Sequence, residues 1–348
     1  MGELLTFPGL GLEFHLNRIA FQVGSYSIAW YGVIMAIAFL VGISYVMLRT
    51  KQFGLDGDRV IDVLLVSVIG AVIGARIYYV AFSWADYKDN LIDVFKIWEG
   101  GIAIYGGLIG GVIVGLIMCH FRRVRVLPML DLAVGGLIIG QAIGRWGNFI
   151  NIEAFGANTA MPWGMAGPVI ENYLTRNAEK LAGFGVIVDP SMPVHPTFFY
   201  ESVWCFLGFI AIALFTKRRR FDGELVLLYA VWYGCGRAII EGLRTDSLML
   251  GKFRVSQMLS IIAVLVAVTL WIIIRNKIKK ANDPEYLKLY VKTDEAAQIL
   301  AGSFYEKKEQ DDDEIIVGKA EEAAPIKSEA AETDIISEPQ KADDKTDE

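Results

Sequence analysis

The chain has 348 residues, 54% hydrophobic and 21% charged, with a mean hydropathy of +0.42; soluble domains average about 45–50% apolar and about 25% charged. Its net charge of −6 is uneven: residues 281–348 hold 20 Asp and Glu against 8 Lys, while residues 1–280 carry a net +6. An acidic soluble body is therefore excluded, and three scattered cysteines without a CxxC, with three histidines without an HExxH, argue against a disulfide scaffold or a metal site.

The N-terminal MGELLTFPGL has no basic start leading into an apolar run, so no signal peptide is expected. A helix crossing a bilayer needs about 20 mostly apolar residues, and seven segments qualify or nearly do. The first, 26–48, carries Tyr31 in AWYG. The second, 60–83, carries Arg76 in GARIYY. The third, 101–119, opens within WEGGIAIYGGLIGG (98–111). There Gly106/Gly110 and Gly107/Gly111 fit close helix packing. The dense set Gly100, Gly101, Gly106 and Gly107 also admits a ligand against the backbone or an interrupted helix.

The fourth segment, 128–150, ends in GRWGNFIN, where Arg145, Asn148 and Asn151 at spacings of three share a helical face, with Glu153 following. Gly136, Gly140 and Gly144 make a packing ridge before them. The loop 151–195 is rich in Pro and Gly and is expected to be irregular and partly re-entrant. It ends in HPTFFYES, with His195 and Pro196 leading into the fifth segment, 197–216, and Tyr200 and Glu201 one turn later. The sixth, 224–242, aligns Tyr233, Arg237, Glu241 and Arg244 on one face, and Arg237 can pair with Glu241 four residues on. The seventh, 255–275, is the most uniformly apolar.

Loop charges set the orientation. The loops after spans one, three, five and seven hold 14 basic residues, including Arg122, Arg123, Arg125 and the run Lys217–Arg220. The opposite, longer loops hold 8. Positive loops stay cytoplasmic, which places the N-terminus outside and the C-terminus inside. The expected fold is all-α, with a membrane body over residues 1–280 and an acidic, largely disordered cytoplasmic tail over 281–348. The start of that tail, PEYLKLYVKTDEAAQILAGSF, has the pattern of a short amphipathic helix.

A charge in a bilayer costs roughly 2.5–3.5 kcal/mol on insertion scales, so such residues face partners or cavities. Arg76, Arg145 and Arg237 come from three spans and all lie towards the outer half. A cationic pocket between apolar walls suits an anionic phospholipid, since a guanidinium grips phosphate bidentately. No strand frames the glycines as a nucleotide-binding loop would require.

Together these motifs resemble bacterial prolipoprotein diacylglyceryl transferases over about residues 20–275. GRWGNFIN with Glu153 stands in the place of the family signature. AWYG, GARIYY, WEGGIAIYGGLIGG, HPTFFYE and GRAIIEGLRTDS follow the family's order. The resemblance implies transfer of diacylglyceryl from phosphatidylglycerol to the lipobox cysteine of a prolipoprotein. It implies a multi-pass protein of the bacterial cytoplasmic membrane and release of glycerol 1-phosphate. It places Arg145 on the lipid headgroup, with Asn148, Asn151, Glu153, Arg76, Tyr233 and Arg244 around the lipid. Arg237, Glu241, Tyr31 and Tyr105 are implied in catalysis. No metal or organic cofactor is implied.

Two positions depart from the family. Tyr105 stands where many members have a histidine, and a phenol with an ordinary pKa near 10 is a poor base at pH 7. Phe198 stands where a polar residue is common. Two other classes fit parts of the pattern. A lipid flippase would also place polar residues on several helices. An intramembrane aspartyl protease would need a pair such as Asp62 and Asp131.

Overall fold

The computed structural model describes residues 2–24, 26–251 and 253–305. Glu3–Phe7 (β1) and Leu12–Leu16 (β2) form an antiparallel hairpin, closed by a Pro8 turn and by Gly11 at φ 65°. Ile19–Val23 (β3) and Tyr26–Ala29 (β4) form a second. The chain then enters Trp30–Arg49 (α1) and Gly57–Phe82 (α2), the latter capped by Asp56, which accepts a 2.9 Å bond from the Arg59 N–H. A short Trp84–Tyr87 helix (α3) starts the connection to Ile104–Phe121 (α4) and Val126–Asn151 (α5).

Pro168–Gly183 (α6), Thr197–Phe215 (α7) and Glu224–Glu241 (α8) follow. Met249–Leu250 (β5) and Phe253–Arg254 (β6) make a third small hairpin before Val255–Ala281 (α9) and Asp294–Leu300 (α10).

Among the described residues, six helical stretches are long and apolar enough to cross a membrane: Trp30–Phe53, Gly57–Phe82, Ile104–Phe121, Val126–Asn151, Thr197–Arg218 and Val255–Ala281. The seventh expected segment is α8, which packs between α7 and α9 but carries Glu224, Arg237 and Glu241 within 18 residues. Their outward faces are apolar. α9 buries only Ala267 and leaves Leu259, Ile262 and Leu265 at least half exposed. So large an apolar surface suits hydrocarbon rather than water.

Two expectations are corrected. The described body is mostly helical, yet three hairpins accompany the helices; strands of two to five residues vanish in a search for 20-residue runs. The 151–195 loop holds the 16-residue α6, set by Pro168 in its first turn and by buried Ile170, Leu174 and Leu181 on one face.

Glycine contacts set the helix spacing. A Cβ at Gly136 of α5 would lie 2.6 Å from the Gly42 carbonyl oxygen of α1, and one at Gly74 of α2 only 2.5 Å from the Gly106 carbonyl oxygen of α4. The backbones touch, as small-residue packing in membranes requires. At one end of the helices, β1, β2, α6, the 152–165 segment and the stretch before α7 share a core of Leu5, Leu16, Phe155, Met165, Ile170, Leu174 and Val194. We call this the head end.

The opposite, basic end is closed by polar pairs. Glu224, fully buried, accepts from Arg275 Nε and Trp271 Nε1, each at 2.7 Å. Asp131 accepts from the Gly223 and Val226 N–H groups at 2.8 and 3.0 Å, and Asp62 pairs with Arg122 at 2.5 Å. The residues after α9 return to this end: Asp222 accepts from the Tyr290 N–H at 2.7 Å, and Arg125 pairs with Glu295 at 2.5 Å. The chain divides into units after Ala301, and the tail beyond Tyr305 lies outside the described residues.

Candidate functional site

The site lies where α5 ends, α7 begins and α8 ends, all at the head. A backbone mesh holds the three together. The Gly156 N–H donates to the His195 carbonyl at 2.8 Å and the Ala157 N–H to the Leu243 carbonyl at 2.7 Å. The Thr197 hydroxyl donates to the Ala154 carbonyl. Only glycine fits at 156, because a Cβ there would lie 2.8 Å from His195 Cβ and 2.9 Å from the Leu243 carbonyl oxygen. One layer deeper, the Trp204 and Trp232 rings stack at 4.8 Å, and each indole donates to the other's carbonyl, which locks α7 to α8.

Glu201, 4% exposed, is the hub. Arg145 Nε of α5 lies 2.5 Å from its Oε2. Arg237 Nη1 of α8 donates to its Oε1, and Arg244 Nη1 stands 3.8 Å from the same oxygen. Arg237 Nη2 also meets Glu241 Oε2 at 2.6 Å, with Glu241 only 1% exposed. Arg244 turns its other edge to Asp246 at 2.7 and 2.9 Å. Arg254 Nη1 donates to the Glu241 carbonyl. Four guanidinia thus face three carboxylates, a net positive charge inside protein and next to apolar walls. A net cationic site of this kind attracts an anion strongly.

The sequence-derived residues divide. Arg145, Arg237, Glu241 and Arg244 join the hub. Asn148 and Asn151 instead donate to Glu153 Oε1 at 2.8 and 3.3 Å, around the turn where α5 ends on Ile152 at φ 53°. Tyr31 lays its ring on Gly147, where a Cβ would lie 2.8 Å away. Tyr233 stacks on Tyr229 at 5.6 Å, and the Tyr229 hydroxyl accepts from Gln141 at 2.9 Å.

Three residues stand apart. Arg76 is buried, and its guanidinium donates to the carbonyls of Asp93, Val94, Gly100 and Gly101 at 2.5–2.8 Å and of Lys96 at 3.4 Å. It knits the α2–α4 connection and is not among the arginines on Glu201. Tyr105 reaches Ser256 of α9 at 3.5 Å. His195 Nδ1 lies 3.1 Å from the Tyr200 hydroxyl, and burial pushes its pKa below the usual value.

Sequence reasoning noted Glu201 without giving it a role at the site, and it missed Arg254. The signal for Glu201 was an acid in the first turn of a span, inside HPTFFYE. Arg254 carried none, being one loop cation among several.

Beside the hub an apolar groove of about 540 Å³ runs between α1, α5 and α7. Ile37, Ile143, Trp146, Val203, Phe206 and Leu207 line it. Trp146 and Ser202 on its wall are the chain neighbours of Arg145 and Glu201.

The sequence profile of the family described as prolipoprotein diacylglyceryl transferase matches residues 18–273. The chain is 41% identical over 255 residues to a phosphatidylglycerol–prolipoprotein diacylglyceryl transferase of Streptococcus equi subsp. equi, covering 73% of this chain and 93% of the relative. A protein of the same name from Listeria innocua is 40% identical over 273 residues, 78% and 94% of the two chains. Another from Clostridioides difficile is 40% identical over 250 residues, 72% and 92%. A multi-pass membrane protein with this profile over most of its length, the chain belongs to the prolipoprotein diacylglyceryl transferase family.

Proposed function

We propose that this protein transfers the diacylglyceryl group of phosphatidylglycerol to the lipobox cysteine of a prolipoprotein, the first step of bacterial lipoprotein maturation. The observation that carries the reading is the state of Arg145. Its Nε forms an ion pair with Glu201 Oε2 at 2.5 Å, while none of its guanidinium nitrogens makes a hydrogen bond among the described residues. A guanidinium fixed on one edge and open on the other is a ready bidentate donor for a phosphodiester.

The thiol sulfur attacks the glycerol carbon bearing the phosphate ester. A C–S bond forms, the C–O bond breaks with its electron pair going to the phosphate oxygen, and the thiol proton passes to water. Glycerol 1-phosphate departs with about one additional negative charge. Arg145, Arg237 and Arg244 hold that charge, as preorganised donors do for a departing anion. The thiolate is the nucleophile, and the same cationic field favours it. Glu241 is paired with Arg237 and serves to aim it. Tyr31, Asn148, Asn151, Glu153 and Tyr233 shape the headgroup space, and Tyr105 flanks the lipid entrance. Arg76 supports the connection that walls it. The apolar groove takes an acyl chain of the donor lipid.

We read α8 as a seventh span. It packs against α7 and α9, and its charged residues have partners. The basic loops then face the cytoplasm, the head faces outward, and the protein resides in the bacterial cytoplasmic membrane. The tail from about residue 281 belongs to the cytoplasmic side. A transporter gains no support from a pocket at one end, and Asp62 and Asp131 have separate partners rather than a shared proton.

The test is purified protein with phosphatidylglycerol and a single-cysteine lipobox peptide, followed by mass spectrometry. A diacylglyceryl adduct on the thiol that is lost in Arg145→Ala supports the proposal. Absence of the adduct from folded wild-type protein overturns it.

A further inference from the structure

Across Arg244 and Arg254 from the lipid site lies a second, smaller cleft of about 130 Å³. It opens between α6 and the segment after α8, beyond the membrane-crossing helices. Its lining includes Lys180, Asn177, Ser247, Arg244 and Arg254, with Asp246 the one acid among the described lining residues. Ser247 Oγ is buried without a hydrogen-bond partner among the described residues. Asn177 Nδ2 donates to the Tyr173 carbonyl at 2.8 Å, which leaves its Oδ1 as acceptor.

This cleft shares its inner wall with the hub. Arg244 faces Glu201 at 3.8 Å with one nitrogen and Asp246 at 2.7 Å with another. Arg254 donates to the carbonyl of Glu241, the last residue of α8, while lining the cleft. An anion released at Arg145 and Arg237 therefore meets the next guanidinia on the way to water. The cleft is too small for a lipid and has hydroxyl and amide groups for a polyol.

We propose that it is the exit site for the water-soluble product, a small polyol phosphate monoester. The proposal rests on the transferase reading above. Lys180, the cation at the outer rim, has no role in that reading.

The experiment measures product inhibition in the full-length protein. Glycerol 1-phosphate is added to the adduct assay, with sodium sulfate at matched ionic strength as control. Inhibition of the wild type by glycerol 1-phosphate beyond sulfate is expected. The inhibition constant should rise about tenfold in Lys180→Ala and Asn177→Leu, with Lys180→Arg restoring most of it. Phosphatidic acid carries the same monoester on a lipid and is run in parallel. The proposal is overturned by an unchanged inhibition constant in both variants, by the absence of inhibition in the wild type, or by Lys180-dependent inhibition from phosphatidic acid alone. Failure of the transferase reading would appear differently, as no adduct in the absence of any inhibitor.

Discussion

Arg145 and Glu201 meet edge to point, one guanidinium nitrogen 2.5 Å from one carboxylate oxygen, with the rest of the guanidinium open. Glu201 also holds Arg237 and faces Arg244. Replacing it by Gln should leave these cations without their common counter-charge, and removing one partner of a buried pair costs about 3–5 kcal/mol. We expect Glu201→Gln to melt at lower temperature and to form adduct about 100-fold more slowly. Arg145→Lys, which keeps the charge but not the fork, should fold normally and raise KM for phosphatidylglycerol. An active Glu201→Gln would remove Glu201 from its place as the hub.

Arg76 predicts a different phenotype from Arg145. Its bonds go to the carbonyls of residues 93–101, not to the hub. Arg76→Ala should expose the 84–103 connection to limited proteolysis. Each lost bond to a charged group contributes roughly 1.5–3 kcal/mol. Cleavage there should precede any loss of lipid affinity. Normal protease resistance with a pure KM effect would instead place Arg76 on the lipid.

The apolar groove gives a chain-length test. Val203 lines it and is 40% exposed, so Val203→Trp fills space without disturbing the core. KM for long-chain phosphatidylglycerol should rise about tenfold, and KM for a six-carbon analogue should stay nearly constant. Equal effects on both would show that the groove lies outside the acyl path.

His195 makes a prediction in pH. Burial lowers its pKa, so His195 gives up its proton at lower pH than an ordinary imidazole does. The rate should climb between pH 6.5 and 8.5 with the substrate thiol, whose ordinary pKa is near 8.5. His195→Gln should keep that rising limb. A limb that disappears in His195→Gln would make His195 the proton acceptor.

The long elements were legible because each span repeats its message over some 20 residues. Arg237 and Glu241 were legible because both lie on one helix, four residues apart, and they do pair. Glu201 was harder: in sequence it is an acid next to a tyrosine, and its three cations come from elements 36–56 residues away. Arg76 and Arg145 look alike in sequence, each an arginine after glycine-rich helix. What separates them is the partner type, carbonyl or carboxylate, and backbone carbonyls leave no trace in side-chain pattern. The head was hidden for a related reason. Leu5, Met165 and Val194 meet only after the chain has passed through four spans.

The way Arg76 is held has a consequence for ionic strength. Carbonyl dipoles in a buried cage are not screened by dissolved ions, whereas exposed ion pairs are, over a Debye length of about 8 Å at physiological salt. Arg125–Glu295 and Arg122–Asp62 are of the exposed kind. Concentrated salt should therefore loosen these contacts at the basic end while the connection from Trp84 to Ala103 keeps its shape. The two ends of one molecule thus answer differently to salt, one through exposed ion pairs and the other through a buried cage of carbonyls.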